Sequence, residues 1–144
     1  MDRKLGKKIR CTSTKIARVV DNLDSIKKLE NISGTNGFII VYIYKSKEDV
    51  FQKDIEKEFG ITRSTASNII SLMEKKNLII REKVDYDARL KKLILTDLAK
   101  NYCEDVLKDL KSFDEMLRKD ISDNDLDIFC NVLEKIENNL RKDW

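Results

Sequence analysis

Between Thr62 and Lys75 the sequence sets Thr62, Ser64, Thr65, Ser67, Asn68 and Ser71 close together with few charges among them. Short hydroxyl and carboxamide side chains donate and accept hydrogen bonds and allow a backbone to approach its partner closely. On one face of a helix they suit the base edges and phosphates of a DNA major groove. At about 100° per residue, Ser64, Asn68, Ser71 and Lys75 share a face with Ser67 on its flank, while Ala66, Ile69, Ile70 and Met73 share the opposite one. Neighbouring segments put Lys and Glu on their outward faces, so this face, uncharged except at its Lys75 end, stands out. Further on, Asp87 and Arg89 have the spacing for a charge-assisted hydrogen bond. Arg63, Lys75, Arg81, Lys91 and Lys92 are cations of the kind that position a nucleic-acid backbone.

Other chemistries find little footing. The chain has no histidine, no glycine-rich phosphate loop and no carboxylate pair set among apolar residues, so no catalytic residue and no cofactor are expected and the protein does not read as an enzyme. Its three cysteines are odd in number and far apart, which disfavours a disulfide framework and a metal site. Cys11 lies among Lys8, Arg10 and Lys15, cations that favour a thiolate, so a redox role there stands beside the inert one. Cys103 and Cys130 read as small apolar packers. No stretch reaches the ~18 apolar residues of a membrane span, and the start lacks a signal peptide's apolar core, so a cytoplasmic location is expected.

The net charge of +3 gives no argument for nucleic acid by itself. Residues 1–18 carry Arg3, Lys4, Lys7, Lys8, Arg10, Lys15 and Arg18 against Asp2, a run that reads equally as a solvated helix face.

The elements that must position these groups are mostly helical, since the chain has no proline and only four glycines. Leu5, Ile9, Ile16, Val19, Leu23 and Ile26, with Thr12 filling the gap, predict one long helix with a narrow seam, closed by the turn chemistry of Asn31 to Gly34. Phe38–Tyr44 is a continuous apolar, β-branched and aromatic run; propensity favours a strand, and periodicity leaves a buried helix equally open. Gln52–Phe59 is a short helix with Ile55 and Phe59 on one face. Gly60 then suits a left-handed turn, Ile61 points back to the core, and Thr62 caps a second helix by accepting from Ser64 or Thr65. Two short helices meeting at such a turn are a helix-turn-helix.

Leu78–Ile80 and Leu93–Leu95 predict two short strands joined by a charged loop whose tip lies near Asp85 to Arg89, a hairpin placed as a wing. Thr96 and Asp97 open a helix carrying Leu98, Tyr102, Val106, Leu110, Phe113 and Leu117. Ser122 and Asp125 resemble a capping box ahead of a last helix with Leu126, Phe129, Leu133, Ile136 and Leu140 at heptad-like spacing.

From Gln52 to Lys100 the chain resembles the multiple antibiotic resistance regulators, the MarR family. The likeness is carried by the helix-turn-helix, by "LIIR" after the second helix, and by the D-x-R…L-x-LT wing at Asp87, Arg89, Leu93, Leu95 and Thr96. Phe51 stands where the family has a capping Thr or Ser, and Ala99 where it has Gly.

The resemblance implies a mainly α fold with a small β-hairpin wing (α+β). It makes 1–144 a single domain, with 35–96 the winged helix-turn-helix lobe and 1–34 and 97–144 dimerisation helices, and it makes Phe38–Tyr44 helical. It further implies a homodimeric, sequence-specific repressor of a pseudo-palindromic double-stranded DNA site. The DNA contacts would be Thr62, Arg63, Ser64, Thr65, Ser67, Asn68, Ser71, Lys75, Arg81, Asp87, Arg89 and Lys91. A small anionic or aromatic ligand would sit near Tyr42, Tyr44 and Tyr102. Two alternatives stay open: redox sensing through Cys11, and a winged-helix module that binds protein instead of DNA.

Overall fold

The computed structural model describes residues 4–29 and 34–141. Arg3 of the basic run and the expected turn residues Asn31–Ser33 lie outside them. Among the described residues, seven helices and one hairpin follow in the order α1 (Leu5–Asp21), α2 (Asp24–Lys27), α3 (Gly34–Lys45), α4 (Gln52–Phe59), α5 (Arg63–Lys75), β1 (Ile79–Val84), β2 (Asp87–Leu95), α6 (Asp97–Arg118) and α7 (Asp123–Leu140). The chain divides into two compact units, the first reaching Leu110 and the second beginning at Lys111.

The expected long first helix is interrupted. At Leu23 the backbone turns extended (φ −63°, ψ 140°), and the Asn22 carboxamide donates to the Arg18 carbonyl at 2.7 Å, an alternative to helix continuation. A short helix restarts at Asp24, where the Ser25 N–H donates to the Asp109 carboxylate of α6 at 2.9 Å. The break turns Ile26 and Leu29 into the core, whereas Leu5, Ile9 and Val19 of α1 remain exposed.

Phe38–Tyr44 is helical, as the resemblance implied and propensity did not. Ile39 and Ile40 are wholly buried, and α3 runs close to its neighbours because a Cβ at Gly37 would overlap Ile26 and one at Gly34 would overlap Val20. Burial in a helix layer has overridden β preference. The same core takes in Ile55, Ile70, Met73, Leu78, Ile79, Leu93, Leu95, Ala99, Cys103 and Val106, so α3–α6 and both strands share it.

Thr96 opens α6, its hydroxyl accepting from the Ala99 N–H at 3.2 Å. In the second unit Ser122 caps α7 by accepting from the Asp125 N–H at 3.1 Å. None of the α7 residues is buried, and Met116, Leu117, Ile121, Ile128, Phe129, Val132 and Leu140 are exposed.

Proximity to the Ser25 hydroxyl and the bond from the Ser25 backbone N–H hold the Asp109 carboxyl below its ordinary range, with Lys28 and Lys108 adding to the effect. Asp109→Ala should therefore cost about 1 kcal/mol in urea unfolding at pH 7, a helix-capping loss moderated by solvent. A carboxyl depressed in the fold stabilises fully above the unfolded value and loses that contribution as pH falls through the folded one. The gap between wild type and variant should thus close toward acid pH.

Candidate nucleic-acid interface

Helices α4 and α5 meet at a turn built by local chemistry. Phe51 has no side-chain acceptor to offer as a cap, and Asp54 compensates by accepting the Phe51 N–H at 2.8 Å. At the other end Gly60 takes φ 59°, ψ 36°, a left-handed conformation that glycine adopts without a Cβ penalty. The Ile61 N–H then closes the turn on the Glu56 carbonyl at 3.1 Å. Thr62 caps α5, its hydroxyl accepting from the Thr65 N–H at 3.2 Å.

Along α5, Ala66, Ile70 and Met73 are completely buried. That orientation leaves Ser64, Thr65, Asn68, Ser71 and Lys75 exposed, with Ser67 half-buried. Asn77 ends the helix with φ 57°, and the Thr96 hydroxyl donates to the Asn77 carbonyl at 2.6 Å, fixing where the hairpin departs.

The strands run longer than the apolar residues alone predicted, from Ile79 to Val84 and from Asp87 to Leu95, with Asp85 and Tyr86 as the tip. Backbone pairing needs no apolar side chain, and Glu82 opposite Lys92 adds an attractive cross-strand pair. The register shifts between Lys83↔Lys91 and Val84↔Asp87, so Ala88, Arg89 and Leu90 bulge out of the ladder. A bulge twists a strand and re-aims its side chains. Here Asp87 Oδ1 accepts from the Arg89 N–H at 2.9 Å and from its Nε at 3.3 Å, leaving the Arg89 side chain 91% exposed.

A cleft of about 550 Å³ lies between the start of α4, α5 and the wing. Lys53, Arg63, Arg81, Arg89 and Lys91 line it against the single carboxylate of Glu56. Of these, Lys53 was not among the expected contacts, and nor was Gln52, whose carboxamide donates to the Arg63 carbonyl at 3.3 Å. Their signal was present in the sequence, two polar residues opening the first helix of the pair. Besides Arg89, two further expected cations are engaged within the protein: Lys92 pairs with Asp49 at 3.7 Å, and Arg81 with Glu74 at 3.2 Å.

The sequence model of the MarR family matches residues 31–90. Over 94% of this chain and 99% of the other, the structure is similar to the transcription regulator MarR from Oenococcus oeni, at 26% identity and a TM-score of 0.81. Residues 31–90 thus carry the MarR-family pattern, and the chain shares the fold of a MarR transcription regulator. Two further solved structures attest the shared fold: S. aureus MepR in complex with DNA (23% identity, TM-score 0.82, covering 96% of this chain and 99% of that one) and a MarR protein from Peptoclostridium difficile (17%, 0.81, covering 100% and 92%). No curated protein sequence matches significantly.

Within this chain the three tyrosines expected around one ligand do not converge. Tyr42 and Tyr44 are two residues apart on α3, which places them on nearly opposite faces. Tyr42 packs edge-on to Phe59 with ring centroids 6.0 Å apart and lines a shallow cleft with Phe38, Lys45 and Glu58. Burial, Glu58 and Asp54 push its phenol up, so it stays protonated. Tyr44 opens on a separate cleft beside Lys92 and Lys100, while Tyr102 packs against the core. Cys11 is exposed on α1. Cys103 is the expected packer, its thiol pushed up by burial. Cys130, read as a packer from sequence, is instead exposed, because α7 buries none of its residues.

Thr62→Val keeps the shape of the α5 cap and removes its acceptor. It should lower unfolding free energy by about 1 kcal/mol in chemical denaturation, and an unchanged midpoint would show that the cap contributes nothing.

Proposed function

We propose that this chain is a homodimeric DNA-binding repressor in which each subunit lays α5 in a major groove and reaches an adjacent minor groove with Arg89. The observation that carries the reading is the pairing of an exposed α5 face of small polar groups at Ser64, Asn68 and Ser71 with an Arg89 held out of the wing bulge by Asp87. Thr62, Ser64, Thr65, Ser67, Asn68 and Ser71 supply short polar groups to base edges and phosphates. Arginine in a narrow minor groove responds to shape and potential more than to base identity. Lys53, Arg63 and Lys91, around the cleft between α5 and the wing, suit the intervening phosphates.

On this reading residues 35–96 form the DNA-binding lobe, and 1–34 and 97–144 associate with a second copy. Support comes from the uncovered apolar side chains of α1 and of α6–α7, each worth about 1.5–3 kcal/mol when fully buried. Two-fold symmetry then calls for a pseudo-palindromic site with half-sites about one helical turn apart. No helix among the described residues is long and apolar enough to cross a membrane. MarR-family regulators act as transcription factors and not as enzymes, and we place this one with them, in the cytoplasm, responsive to a small ligand.

Two measurements test this. Arg89→Ala should weaken binding to a selected inverted repeat by about 1–3 kcal/mol at fixed salt while light scattering still reports a dimer; an unchanged gel-shift midpoint removes the wing from the mechanism. Phe129→Glu should convert the dimer to monomer at micromolar concentration, and a wild type that is already monomeric there contradicts the assembly.

A further inference from the structure

Arg81 was expected to contact DNA phosphates, and its surroundings point elsewhere. It lies on β1 opposite Leu93, with its side chain 28% exposed. Its guanidinium spans the gap to α5: Nη2 donates to the Ser71 hydroxyl at 3.0 Å, and Nε, buried without a hydrogen-bond partner among the described residues, forms an ion pair with Glu74 Oε2 at 3.2 Å. Ser71 and Glu74 are three residues apart, one helical turn, so the planar fork grips two successive positions on one helix face. The backbone between α5 and β1 is itself pinned, through the left-handed Asn77 and the Thr96 hydroxyl. Arg81 adds a side-chain tie beyond that pivot, between the reading helix and the strand that leads to Arg89.

We infer that Arg81 is a positioning residue: by bracing β1 against Ser71 and Glu74 it fixes the angle between α5 and the wing, and so the simultaneous fit of both to DNA. This rests on the DNA-binding reading above. Two consequences separate it from a phosphate contact. The Arg81 charge is already matched by Glu74, so it releases few counterions on binding. And Glu74, an acidic residue on the reading helix, favours DNA binding through the brace, although a carboxylate near phosphates would otherwise oppose it.

The second consequence has opposite signs under the two accounts. With the full-length chain and a duplex carrying the selected inverted repeat, binding is followed by fluorescence anisotropy over a range of salt. Glu74→Ala, a substitution that favours the helix, should weaken binding by about tenfold, as should Arg81→Ala and Arg81→Lys, because lysine cannot hold both partners. The double variant Arg81→Ala/Glu74→Ala should be no weaker than either single one, and the salt slope should stay at the wild-type value. Equal or tighter binding by Glu74→Ala overturns the brace. So does a slope reduced by about 0.9 in Arg81→Ala together with retained affinity in Arg81→Lys, the signature of a phosphate contact. If Arg81→Ala fails to fold, Glu74→Ala alone decides. A wild type that binds no duplex overturns the DNA reading itself, and the brace with it.

Discussion

Ala66, Ile70 and Met73 have no exposed surface, and that stripe decides which face of α5 meets solvent. A helix that buries one face completely cannot rotate without bringing Ser67 or Asn68 into an apolar core, where an unpaired polar group is costly. The surrounding devices act on this one orientation. Gly60 and Thr62 set where the helix starts, Asn77 and Thr96 set where it ends, and Leu78 and Ile79 carry the core directly into β1. The wing is thus registered to the helix by packing at its base, and Asp87 orders Arg89 at its far end.

This arrangement gives the interface a division of labour. Small uncharged groups occupy the helix, where close approach matters, and cations line the cleft between helix and wing, where a polyanion's backbone would run. The modest net charge of the chain is compatible with cations gathered along that cleft. The exposed apolar residues of α1 and α7 are the complementary feature, surfaces that single-chain folding leaves open.

What could be read in the sequence was whatever local chemistry dictates. The Gly60–Thr62 turn, the Ser122 and Thr96 caps, the buried stripe of α5 and the Asp87–Arg89 pair all follow from side-chain type and short spacing, and each is present as expected. Features set by distant partners were not legible. The break after α1 involves Asp109, which is 84 residues from Ser25. Burial against the core makes α3 a helix where propensity favours a strand. The strands lengthen through backbone pairing that charged side chains conceal, and Arg81 looked like a free cation until Ser71 and Glu74 came into reach. Tyr42 and Tyr44 open on separate clefts for a simpler reason, since residues two apart on a helix lie on nearly opposite faces.

In the proposed dimer, two copies place α5 in successive major grooves and the wings beside them. Hydroxyl-radical footprinting of the full chain on a selected operator duplex tests it most directly. The account predicts a two-fold symmetric pattern, with protected backbone centred on two half-sites about one helical turn apart and further protection in the minor groove outside each. A single asymmetric footprint, or protection confined to the major-groove segments, would contradict it.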